Sequence, residues 1–251
     1  MKYVRTLHHG QSRFGIIEDQ AIRLIENTPF DDEIRLSDTT LALKESVLLA
    51  PTLFSKAVCI GLNYKDHAEE LNLPLPESPV VFLKPSTTIL GPGEAIIYPA
   101  LSGRLDYEAE LCVVIKKEAR FIKAEEADSY ILGYSCANDV TARDLQPKLG
   151  QWTIAKGFDT FCPYGPFISD EVDPANLAIE CRLDGESMQR SNTRHLIFDI
   201  PYLVSYLSQI MTLLPGDIIL TGTPGGIGPM EKGQEVQVII EGLGTLSNPV
   251  A

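Results

Sequence analysis

The run Leu105-Asp-Tyr-Glu-Ala-Glu-Leu111, continued by Cys112-Val-Val-Ile115, constrains the fold more than any other stretch. Its second half is apolar or β-branched throughout, as in a strand buried on both faces. Side chains i and i+2 of a strand share a face, so Glu108 and Glu110 project side by side at the mouth of this strand. Tyr107, Ala109 and Leu111 then face the other way. Two carboxylates that close repel, and either one keeps its proton or a cation sits between them. Oxygen ligands without His or Cys favour a hard ion, Mg²⁺, Mn²⁺ or Ca²⁺, over zinc or copper. Taken alone, the run also reads as Glu-x-Glu on the solvent face of an ordinary strand.

The remaining chain reads as mainly β with short helices, an α+β class. A length of 251 residues suits one large core with a small appendage. Residues 1–55 alternate polar and apolar positions, which predicts a few antiparallel strands and a small N-terminal domain, with residues 56–251 as the second unit. Leu41 to Leu49 predicts a short helix ended by Pro51. Strands follow at Lys56–Gly61 and Val80–Pro85, with Asp66 as N-cap of a helical turn or two between them. Ile131 to Val140 is a further strand with Asp139 at its far end. A short helix is expected over 124–127, and a polar and aromatic loop over 152–161. Asp184-Gly185 marks a hairpin, Ile200 to Leu213 a helix, and 217–220 and 236–240 the last strands.

The formal net charge of -13, with Lys and Arg scattered, argues against nucleic acid or an anionic membrane as partner. Small anionic substrates then need local cations at their site. Cys59, Cys112, Cys136, Cys162 and Cys181 are odd in number and lack metal-ligand spacing, which fits reduced core thiols. The N-terminus has no apolar signal region and no window reaches about 18 uninterrupted apolar residues, so a soluble cytoplasmic protein is expected.

Other residues offer chemistry beside a plainer reading. His67 and Glu70, at i and i+3, form either a surface ion pair or a dyad in which the carboxylate orients a general base. Lys156 either neutralises a developing enolate or carboxylate, or is a surface lysine. Arg143 and Gln146 either clamp a substrate carboxylate or are solvated. Thr221-Gly-Thr-Pro-Gly-Gly-Ile-Gly228 lacks the Lys-Ser/Thr of a P-loop and runs into Pro229. Its glycines suit close approach of backbone to a ligand, with the Thr223 hydroxyl as donor.

Gly61-Leu-Asn-Tyr-Lys-Asp-His-Ala-Glu-Glu70, Phe82-Leu-Lys-Pro-Ser86, Leu105 to Leu111, Asn138-Asp139, Lys156-Gly-Phe-Asp159, Gln189 to Thr193, Pro215-Gly-Asp217, Thr221 to Gly225 and Gly242-Leu-Gly-Thr-Leu246 together resemble the fumarylacetoacetate hydrolase superfamily. The resemblance covers about residues 56–251, in order and with the family's spacing. It implies a mixed β-roll, a homodimer, and Mg²⁺ or Mn²⁺ (with Ca²⁺ as a substitute) on Glu108, Glu110 and Asp139. It implies catalytic roles for His67, Glu70 and Lys156, and substrate binding by Arg143, Gln146 and Thr223. The implied chemistry is cleavage of a C–C bond in short 2-oxo or 1,3-dicarbonyl acids, as in acylpyruvate or fumarylpyruvate hydrolases and oxaloacetate decarboxylases. The alternative is an isomerase or tautomerase of related acids. The long N-terminal SH3-like domain of the large eukaryotic members is missing, which makes fumarylacetoacetate itself a poor substrate guess. A 2-oxo acid can chelate such an ion through its keto and carboxylate oxygens.

Overall fold

The computed structural model describes residues 1–70, 72–147 and 151–251. Among these residues the main sheet has 12 strands. Its central part runs Cys162–Ser169, Ile131–Asn138, Ala109–Ile115, Ile218–Leu220, Lys56–Gly61 and Val80–Pro85 in spatial order. All these neighbours are antiparallel except Ile218–Leu220 against Lys56–Gly61. A four-stranded sheet, Glu186–Asn192, Ala178–Leu183, Glu235–Ile240 and Gly244–Pro249, packs on one face. This is the mainly β fold expected from the residues, with the mixed sheet that the family resemblance implies.

Alternation along Ala109–Ile115 explains why the strand is apolar throughout. Leu111, Val113 and Ile115 enter one cluster with Val236, Val238 and the helix residues Leu203 and Leu207. Cys112 and Val114 enter another with Ala57, Cys59, Ile218 and Leu220. Every residue of the strand is buried, so both faces contribute apolar burial, about 25 cal/mol for each Å² removed from water.

The expected continuous strand through Glu108 is broken there. Leu105–Tyr107 pairs in a three-stranded sheet with Thr141–Ala142 and Gly228–Met230, whereas Ala109–Ile115 belongs to the main sheet. Side chains take up the amides at the break. Asn138 Oδ1 accepts from the Glu108 N–H at 2.9 Å and Gln189 Oε1 from the Ala109 N–H at 2.9 Å. The chain changes sheets at the residue that carries the first carboxylate.

The N-terminal strands Lys2–His8, Gln11–Glu18, Ala21–Ile25 and Leu36–Ala42 extend the main sheet through Lys2–His8 against Cys162–Ser169. Leu41 to Leu49 is not a helix. The strand runs to Ala42, a 3₁₀ turn covers Leu43–Glu45, and Leu48–Leu49 pairs with Lys2–His8, because strand pairing overrides local propensity. The turn at Asp184-Gly185 has φ of 51° and 84°, as a two-residue hairpin loop of this twist requires. Helix α1 spans Lys65–Glu70, and the following Leu71 lies outside the described residues. The 152–161 stretch contains a one-turn helix, α2, at Thr153–Lys156, started by the Trp152 carbonyl accepting from Ala155 and Lys156. Helix α3, Ile200–Ile210, is capped by Asp199, whose side chain accepts from the Tyr202 N–H.

Candidate active site

A cavity of about 390 Å³ is lined by His67, Glu108, Glu110, Asp139, Arg143, Gln146, Lys156 and Thr223. Glu70 stands behind His67. The residues singled out from the sequence thus come together although they lie on separate elements: α1, the sheet break, the end of Ile131–Asn138, α2 and the loop after Ile218–Leu220.

Oxygens of Glu108, Glu110 and Asp139 lie within 4.8 Å of one another, and all three residues are buried. Lys156 Nζ donates to Glu108 Oε2 at 2.7 Å and to Asp139 Oδ2 at 2.6 Å. Arg143 donates to the other Glu108 oxygen, to Asp106 Oδ2 at 2.8 Å and to Gln146. Burial pushes the Glu108 carboxyl up, but Lys156 and Arg143 outweigh it and hold the group at about 2. Lys156 responds in kind: burial lowers it, and the carboxylates of Asp139 and Glu108 overcome this and raise it.

Glu110 differs. Its Oε2 accepts from the Gly222 N–H at 2.7 Å, and none of the ion pairs among the described residues includes it. Burial, followed by the charges of Asp139 and Glu108, pushes it well above the usual carboxylate range. The cluster therefore fits a hard divalent ion on two counts: an all-oxygen donor set, and a buried carboxylate with no ion-pair partner among the described residues. Gly222 supplies its N–H from φ +100°, and an added Cβ would meet Asn63 Cβ at 2.8 Å, so backbone conformation and space both select glycine.

His67 is buried and its Nδ1 lies 3.0 Å from Glu70 Oε2. Both Glu70 oxygens also lie 3.2 Å from the Gly226 N–H, which ties the dyad to the glycine-rich loop. Asp66 does not precede the helix as an N-cap. It lies inside the first turn, where it accepts from the His67 N–H at 2.8 Å and from Ser191 Oγ at 2.5 Å. Thr223 Oγ1 accepts from Gln189 Nε2 at 2.9 Å, which leaves its own proton to donate. His195 ends a 3₁₀ turn and is half-buried.

Three contributors had no role in the sequence reading. Lys84 is fully buried, donates to Asp139 Oδ1 and donates to the Val140 carbonyl at 3.1 Å. Asp106 anchors Arg143, and Gln189 links the Ala109 amide to Thr223 and the Pro224 carbonyl. A lysine inside Val80-Val-Phe-Leu-Lys-Pro85 was a usable signal, since a charge in an apolar strand needs a buried partner.

Residues 56–251 match the family model described as fumarylacetoacetate (FAA) hydrolase C-terminal. The chain belongs to the fumarylacetoacetate hydrolase family. Residues 1–51 match a second model, Rv2993c-like, N-terminal. The 2-hydroxyhepta-2,4-diene-1,7-dioate isomerase of Mycobacterium marinum is 42% identical, with a TM-score of 0.93 over 100% of this chain and 98% of that one. The mitochondrial oxaloacetate tautomerase Fahd2a of Rattus norvegicus is 46% identical over 80% of this chain and 68% of its own. The fumarylpyruvate hydrolase of Pseudomonas aeruginosa, solved with Mn²⁺ and pyruvate, is 36% identical, with a TM-score of 0.75 over 86% of this chain and 92% of that one. Family membership makes the chain an enzyme of the fumarylacetoacetate hydrolase type. Among the described residues no helix is long and apolar enough to cross a membrane.

Proposed function

We propose that this protein is a divalent-metal-dependent enzyme that cleaves a C–C bond in short 2-oxo or 1,3-dicarbonyl acids such as acylpyruvates, fumarylpyruvate or oxaloacetate. The observation that carries the reading is His67, buried in the wall of the same cavity as the carboxylate cluster and held at Nδ1 by the more exposed carboxylate of Glu70. Glu108, Glu110 and Asp139 hold Mg²⁺ or Mn²⁺, with Ca²⁺ as a substitute. The bound ion supplies Lewis-acid polarisation of the 2-keto group and charge for the enolate left on cleavage.

The chain's own residues do the rest. Glu70 holds the His67 ring through Nδ1, so that Nε2 takes a proton from water. In an acylpyruvate, that water adds to the distal carbonyl, the C–C bond breaks to leave a carboxylic acid and the enolate of pyruvate, and the enolate carbon takes up the proton that His67 accepted. Oxaloacetate needs no water, losing CO₂ to leave the same enolate, whose carbon is then protonated. Lys156 offers its ammonium to the developing negative charge, and Thr223 donates to the substrate carboxylate. Arg143 and Gln146, already hydrogen-bonded to each other, complete the substrate wall.

A second reading is an isomerase or tautomerase on the same scaffold, favoured by what the M. marinum and rat relatives are named for. Acetylpyruvate, fumarylpyruvate, oxaloacetate and a seven-carbon 2-oxo diacid, each assayed with Mg²⁺ and with chelator, separate the two. Metal-dependent release of pyruvate supports cleavage, and enol–keto conversion without release supports the alternative.

The same reading takes residues 1–55 as a small N-terminal unit beside a catalytic unit at 56–251, supported by the separate spans of the two family models. It takes the enzyme as a cytoplasmic homodimer. All five cysteines are free and buried, as a reducing compartment allows. Light scattering that returned a monomer mass would refute the dimer.

A further inference from the structure

We infer that the outer part of the cavity binds an apolar tail, so that the preferred substrate is a 2-oxo acid whose far end is hydrophobic rather than a second carboxylate. The inference rests on the reading of the site as a 2-oxo-acid site and narrows it. Opposite in character to the charged cluster, the cavity lining includes Leu62, Leu73, Phe82, Trp152 and Ile227. Phe82 and Trp152 meet edge to face with ring centroids 5.1 Å apart. The indole edge is seated against Gly61, where an added Cβ would come 2.7 Å from it, so glycine there makes the niche that fixes the ring. Leu73, which is 49% exposed, belongs to the same lining. An exposed leucine beside a half-buried Trp–Phe pair is apolar surface that a ligand tail would remove from water.

The charges point the same way. Among the described residues the two strong cations of the lining are already engaged, Lys156 by Glu108 and Asp139, and Arg143 by Asp106 and Glu108. A second substrate carboxylate would lie against the indole and Leu73, losing hydration, in a protein of net charge -13. An alkyl or aryl group loses nothing there.

Trp152 is the chain's only tryptophan, so its fluorescence reports on this wall directly. With Mg²⁺ present, the fluorescence is titrated with pyruvate, 2-oxobutyrate, 2-oxopentanoate and 2-oxohexanoate, and with 2-oxoglutarate as the diacid matched to 2-oxopentanoate. Affinity is expected to rise about three- to fourfold per methylene, the factor that corresponds to about 0.8 kcal/mol, and 2-oxoglutarate to bind at least tenfold more weakly than 2-oxopentanoate. By calorimetry, Trp152→Ala and, independently, Leu73→Ser should flatten the gradient between pyruvate and 2-oxohexanoate. Equal affinity across the series, or tighter binding of 2-oxoglutarate, overturns the apolar tail while leaving the 2-oxo-acid site standing. If no 2-oxo acid binds, pyruvate included, the underlying site reading falls and this inference with it.

Discussion

Replacing Lys84 by methionine tests the electrostatic frame of the site without touching a cavity-lining group. The lysine is 0% exposed and its ammonium is held by Asp139 and by the Val140 carbonyl, with the Phe161 ring centroid 5.9 Å away. Methionine keeps an unbranched side chain one atom shorter and removes the charge, leaving Asp139 buried with one cationic partner among the described residues, Lys156 Nζ at 2.6 Å. Removing one member of a buried ion pair costs about 3–5 kcal/mol. Because Lys156 remains, the lower end applies, about 3 kcal/mol, or a fall in Tm of roughly 6–12 °C for a chain of this size. Urea unfolding of the metal-free protein at neutral pH, wild type against Lys84→Met, measures it. Adding Asp139→Asn should recover much of the loss, since the stranded charge is then gone. A loss below about 1 kcal/mol, or a double variant less stable than Lys84→Met by the full cost of Asp139→Asn, would refute the argument.

Other outcomes follow from the same geometry. Glu110 titrates above its ordinary value of 4.5, so its share of metal-free stability is full below that pH and is lost as pH rises through the raised value. Glu110→Gln keeps an acceptor for the Gly222 N–H, and should stabilise the metal-free protein at pH 8 by on the order of 1 kcal/mol while weakening metal binding severely. Thermal unfolding across pH and calorimetry with Mn²⁺ check both halves, and unchanged affinity would place the ion elsewhere. His67→Ala should lower acylpyruvate hydrolysis about 10²–10⁴-fold with metal affinity nearly unchanged, and should lower oxaloacetate tautomerisation less. Equal losses in one preparation would mean that the histidine moves protons on the substrate rather than activating water.

What was legible in the sequence is local chemistry with a period. Cys112-Val-Val-Ile115 announced a strand buried on both faces, Asp184-Gly185 a hairpin, and His67 with Glu70 a shared helical face; all three geometries are present. The break at Glu108 was not legible, because it depends on Asn138 and Gln189 taking the amides of a chain that changes sheets. Leu41 to Leu49 misled for a related reason: its helical propensity loses to pairing with a strand more than forty residues away. Within the cavity, residue types were readable but their partners were not. Lys84 and Asp106 hold the site from behind, and a partnership across 55 positions, as between Lys84 and Asp139, leaves no trace in spacing.

The most direct test of the account is turnover of acetylpyruvate by protein stripped of metal and verified as such, with Mg²⁺ then titrated back. The account predicts no pyruvate release in excess chelator, saturable recovery with Mg²⁺, and no recovery in Glu110→Gln over the same range. Pyruvate release that persists in chelator after verified metal loss would contradict it.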